Sequence, residues 1–79
     1  MSPTILKDQG YRFFFFSREE PRMHVHVHSA KGEAKYWLEP ELELAKNYQL
    51  SRRQLKKIEK IIEEHYEEIR NAWHQHFGN

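Results

Sequence analysis

The chain is 79 residues long, with 13 Lys and Arg against 12 Asp and Glu, a formal net charge of +1, 32% charged residues and no cysteine. That length predicts one small domain over residues 1–79, which buries only about 60% of its extended-chain surface. The lack of cysteine excludes a disulfide framework and a thiolate metal site, and the near balance of charge means that any electrostatic role comes from local segregation.

Taken in chain order, residues 3–6 read as a short edge segment. Lys7-Asp8-Gln9-Gly10 reads as a turn, because Gly10 tolerates positive φ. Residues 11–17 read as the first firm strand. Phe13, Phe14, Phe15 and Phe16 put aromatic rings on both of its faces, so it is expected to be covered in part by a helix and to offer the rest as a protein interface. Residues 18–21 read as a polar loop, and Pro21 suits the entry to a strand, where its missing N–H does no harm.

The next strand is the centre of the reading. Successive side chains of a strand point to opposite faces, so His24, His26 and His28 share one face while Val25 and Val27 share the other. After a turn at Ser29-Ala30-Lys31-Gly32, residues 33–39 alternate, with Ala34, Tyr36 and Leu38 on one face and Glu33, Lys35, Trp37 and Glu39 on the other. A hairpin about that turn sets His28 against Glu33, His26 against Lys35 and His24 against Trp37, with Val27 meeting Ala34 and Val25 meeting Tyr36. A three-residue connection at Glu39-Pro40-Glu41 brings Leu42 opposite Leu38 and Leu44 opposite Tyr36, a further short strand in phase.

Ser51 with Gln54 fits a capping box, and neither Gly nor Pro recurs until Gly78, which predicts one long helix over residues 51–77 after a mainly β segment at 1–49. Its apolar stripe runs through Leu55, Ile58, Ile62, His65, Ile69, Ala72 and His76, widened by Ile61, Tyr66, Trp73 and Phe77. The expected fold is α+β: a meander of three to four antiparallel strands packed against one long C-terminal helix. No basic start with an apolar run and no apolar stretch of spanning length occurs, so a cytoplasmic protein without a membrane partner is expected.

Three chemistries suit these residues. Imidazoles at i and i+2 on a strand sit about 6.6 Å apart at Cα and can converge on one ion, which makes His24 and His26 candidate ligands for Zn2+ or another divalent cation. Lys35 beside His26 opposes a cation there. As an acid–base set, His24, His26 and Glu33 supply imidazoles near an orienting carboxylate, enough for metal-free cleavage of RNA through its own 2′-hydroxyl. The third chemistry is binding. Arg52, Arg53, Lys56, Lys57 and Lys60 crowd the first half of the helix while Glu63, Glu64, Glu67 and Glu68 crowd the second, an order that opposes the helix dipole. A ligand that wants the basic end accounts for that order, and an acidic protein, RNA or DNA is the candidate. Lys35 and Trp37 on the polar sheet face extend the binding set, with Trp37 able to stack on a base.

Gly10-x-Arg12-x-Phe14-Phe15-Phe16-Ser17, Pro21-x-x-His24-Val25-His26-Val27, Glu33-Ala34-Lys35 and Trp73, after Pro3-Thr4-Ile5, resemble the bacterial domain of unknown function 4160 family over nearly the whole chain. The family's hallmark positions fall on His24, His26, Glu33 and Lys35, whereas His28 is additional to that pattern. The resemblance implies a small bacterial protein that works beside a second small protein encoded by a neighbouring gene, in a toxin–antitoxin-like pair. The expected function is therefore a protein- and nucleic-acid-binding component of such a module, with self-association into a homodimer as a further use of the aromatic strand. The competing expectation is a small histidine-dependent hydrolase or ribonuclease, metal-assisted or not.

Overall fold

The computed structural model describes residues 4–16 and 21–78. It shows an α+β architecture in which five antiparallel strands pair in sequence order and two helices follow. The strands are β1 (Thr4–Asp8), β2 (Tyr11–Phe14), β3 (His24–Ser29), β4 (Gly32–Trp37) and β5 (Glu43–Tyr48), and the helices are α1 (Arg52–Glu64) and α2 (Tyr66–Phe77).

The sheet thus has five strands where three to four were expected. β1 is a full strand because Gln9 (φ 54) and Gly10 (φ 85) both adopt positive φ, the turn whose twist matches a two-residue hairpin, and it pairs Asp8 with Tyr11 and Lys7 with Arg12. β5 extends to Tyr48 because the Asn47 amide ties off the strand end. Asn47 Nδ2 donates to the Leu50 carbonyl and Oδ1 accepts from the Leu50 N–H, each at 3.0 Å, around Gln49 at φ 67. The β3/β4 hairpin has the register that the alternation predicts, from His24 opposite Trp37 to His28 opposite Glu33. Residues 1–3 and 17–20, on which the start of the edge segment, the end of the phenylalanine strand and most of the polar loop were expected, lie outside the described residues.

The single helix expected over 51–77 is two. α1 starts at the expected capping box, with Gln54 N–H donating to Ser51 Oγ at 3.1 Å and Ser51 N–H donating to Gln54 Oε1 at 2.8 Å. It ends at His65 (φ −115, ψ 22), whose N–H is shared between the carbonyls of Ile61 and Ile62 at 3.1 and 3.2 Å. No Gly or Pro stands there; tertiary contacts bend the chain. The His65 ring lies between Glu68 Oε1, 3.0 Å from Nδ1, and Asp8 Oδ2, 3.8 Å from Nε2, and the next residue, Tyr66, donates its hydroxyl to the Leu38 carbonyl.

Both helices cover one face of the sheet. Phe13, Phe15, Val25, Val27, Ala34, Tyr36 and Leu38 pack there against Ile58, Ile61, Ile62, Ile69 and Trp73, with Leu55, Tyr66, Ala72 and Phe77 at the margin. The expected stripe holds except at its polar members: His65 is half-buried at the break and His76 is exposed. Tyr36 brings a hydroxyl into this layer, and it donates to Glu59 Oε2 at 2.8 Å. Burial first, then the Glu59 carboxylate, holds this phenol well above its ordinary range. Among the described residues, no helix is long and apolar enough to cross a membrane.

Candidate functional site

The other face of the sheet is built from cross-strand rows, because residues opposite one another on antiparallel strands point to the same side. The central row runs Phe14, His26, Lys35, Lys46, and the next runs Lys7, Arg12, His28, Glu33, Tyr48. A third holds His24, Trp37 and Glu43. Aromatic rings and cations are interleaved throughout. The Arg12 guanidinium lies 4.4 Å from the Phe14 ring centroid, while Arg22 and the Lys35 ammonium lie 4.3 and 4.4 Å from that of Trp37. His26 stacks on Phe14 at 5.6 Å and meets Phe16 edge-on at 4.3 Å.

Among the expected catalytic and metal-binding residues, His26 and Glu33 come together around one concavity of about 360 Å³, with Lys35, Lys46 and Tyr48. His24 stands apart from that concavity. It is 0% exposed, its Nδ1 donates to the Arg22 carbonyl at 2.7 Å, and its ring sits edge-on to Trp37 and is reached by Trp73 of α2 at 5.2 Å. A carbonyl can only accept, so this bond fixes the hydrogen on Nδ1. The alternation that assigns all three imidazoles to one solvated face overlooks Trp73, which closes over the end of that row. His24 and His26 are 5.2 Å apart between ring centroids, but among the described residues no group of three His, Cys, Asp or Glu side chains is placed to hold a metal ion.

The expected protein interface also divides. Phe13 and Phe15 are core, at 0% and 1% exposure, and Phe14 is buried beneath its neighbours, leaving Phe16 as the exposed ring of the four at 46%. The reason is that alternation and the close approach of Trp73 and Phe77 to Phe15 consume the run from both sides. Arg52, Arg53, Lys56, Lys57 and Lys60 are all exposed on α1, on the helical layer, so the sheet separates them from Lys35 and Trp37. Lys56, Lys57 and Lys60 border a groove of their own beside Gln9. The binding set read from the sequence is two surfaces.

Arg12, Arg22, Lys46 and Tyr48 belong to the open face without having been singled out from the sequence. Lys46 and Tyr48 were hidden by a bulge. Tyr36 pairs with Leu44 but Lys35 pairs with Lys46, so Ala45 is an extra residue that reverses the alternation of β5. Strict period two from Leu44 turns Lys46 and Tyr48 towards the helices; the bulge turns them outwards.

A five-stranded meander backed by two helices, with basic and aromatic side chains on its uncovered face, defines a small two-layer α+β protein. Residues 10–74 match the family described as Domain of unknown function (DUF4160), and the chain belongs to that family. The match spans His24, His26, Glu33 and Lys35, on which the resemblance rested. No curated protein and no solved structure matches the chain.

Proposed function

We propose that this protein is the nucleic-acid-binding component of a toxin–antitoxin-like module, taking single-stranded RNA or DNA across the open face of its sheet. The observation that carries the reading is the interleaving of Phe16, Trp37 and Tyr48 with Arg12, Arg22, Lys35 and Lys46 on one face that neither helix covers. Such a surface meets both needs of a single strand, cations for phosphates and rings for bases. Phe16 stands against His26 on the same face, so a small protein from the neighbouring gene that docks on Phe16 competes with the strand. That competition is how a paired protein would control it.

Anisotropy of labelled single strands and duplexes at several salt concentrations tests this. Binding that favours the single strand, weakens with salt and is reversed by the neighbouring gene product is expected; no salt-sensitive complex with either single strand sinks the proposal. A ribonuclease reading draws on His26 and Glu33 beside two lysines in one concavity. Gel analysis of the bound RNA separates the two, since cleavage that disappears in His26→Ala, with the fold retained, replaces binding by catalysis.

A further inference from the structure

We infer that His26, Lys35 and Lys46 form a phosphate site on the open sheet face, and that Tyr48 is the stacking surface for the base of the same nucleotide. The inference rests on the single-strand reading above and names where on the face one nucleotide sits.

The placement of these lysines carries a cost. Lys35 and Lys46 are direct cross-strand partners, and His26 stands opposite Lys35 on the other side. Like charges directly opposite one another weaken strand pairing. Nothing in the local sequence forces this arrangement. Without the extra residue Ala45, Lys46 points to the other face, so the bulge is what sets the two lysines opposite one another on the open face. Bulges recur beside functional sites because they re-aim a side chain, and here the re-aimed side chains are Lys46 and Tyr48.

The shape and chemistry of the face suit a phosphate. The concavity of about 360 Å³ between the two rows is bordered by His26, Lys35, Lys46 and Tyr48, at the small end of the range for ligand sites. Lys46 makes no ion pair among the described residues. Among the described residues that border the concavity, the one carboxylate is Glu33, opposite both His28 and Tyr48. Trp37 is held between Arg22 and Lys35 contacts, whereas Tyr48 is 66% exposed and offers its ring. Phosphate beside the lysines and base on Tyr48 is the arrangement that uses the cations and the exposed ring at the rim.

Titration of the full chain with inorganic phosphate, a nucleoside 5′-monophosphate and a labelled single-stranded oligonucleotide, followed by backbone NMR shifts and anisotropy, tests the site. The monophosphate is expected to shift Lys35, Lys46 and Tyr48 together, and phosphate alone to shift the lysines without Tyr48. Lys46→Gln should flatten the oligonucleotide's log K against log salt by about 0.7. Tyr48→Ala should weaken it roughly tenfold, and Glu33→Gln should tighten it. Lys46→Gln should also raise Tm, because it removes the opposed charge; a merely structural lysine does not combine higher stability with weaker binding. Oligonucleotide binding that is indifferent to Lys46→Gln and Tyr48→Ala overturns this site and leaves the single-strand reading standing. Monophosphate shifts without any oligonucleotide complex support the site and overturn that reading.

Discussion

At the scale of single residues, two positions show how little slack the structure has. Gly32 closes the β3/β4 hairpin opposite Ser29, and a Cβ there would collide with the Tyr48 carbonyl and press on Leu50. The obstacle is backbone, which cannot swing aside as a side chain can. Gly32→Ala is therefore expected to cost about 1–3 kcal/mol, a fall in Tm of roughly 4–20 °C for a chain of this size, measurable by thermal denaturation. Tyr36 makes a pH prediction. Its phenol is held above its ordinary value by burial and by Glu59, so the folded state keeps the proton at a pH where the unfolded chain releases it. Its contribution is fully present below about pH 10 and is lost as pH rises beyond it. Urea titrations from pH 8 to 11 should show stability falling above about pH 10, with a shallower fall in Tyr36→Phe; equal slopes in the two proteins refute the assignment.

At the scale of elements, the break at His65 changes what the charges mean. Along one continuous helix, Glu67 and Glu68 lie in the acidic half that opposes the dipole, but in the structure they occupy the first turn of α2, where acids are favourable. Glu67→Lys is accordingly expected to destabilise by about 0.3–1 kcal/mol, read as a lower urea midpoint. An uninterrupted helix over 51–77 leaves residue 67 far from either end, where the dipole has faded, and the same substitution then changes stability little. The acids at 67 and 68 were thus a sign of a helix start, visible in the sequence but outvoted by the absence of Gly and Pro. The histidine hairpin was legible because the alternation of residues 24–28 and 33–38 is strict and the turn length fixes its register. β5 was legible only as far as Leu44, because a bulge leaves no mark in a polar strand such as Ala45-Lys46-Asn47-Tyr48. His24 shows the same limit: period two gives the face a side chain leaves from, and a distant residue, Trp73, decides whether that face is solvent. Within the candidate site, His26, Glu33, Lys35 and Trp37 follow from local pattern; Lys46 and Tyr48 follow from a tertiary event.

At the scale of the whole molecule, the two basic surfaces face away from one another, and this separates local recognition from general attraction. The near-neutral chain gathers cations on the open sheet face and on α1, with the core between them. A single strand lying on the sheet cannot touch Lys56, Lys57 and Lys60 at the same time as Lys35 and Lys46 unless it wraps around an edge. Replacing the three α1 lysines with glutamine is expected to slow association through the weakened long-range field, since steering is a property of the summed charge. Dissociation should be unchanged for an oligonucleotide of a few residues, whose contacts all lie on the sheet. Replacing Lys35 and Lys46 should instead speed dissociation, because groups in direct contact with a ligand act mainly on its residence time. Stopped-flow association and displacement measurements on the two variants separate these effects. If the α1 variant alone releases the short strand faster, the basic start of the helix is the binding surface, and the opposed lysines of β4 and β5 need another explanation.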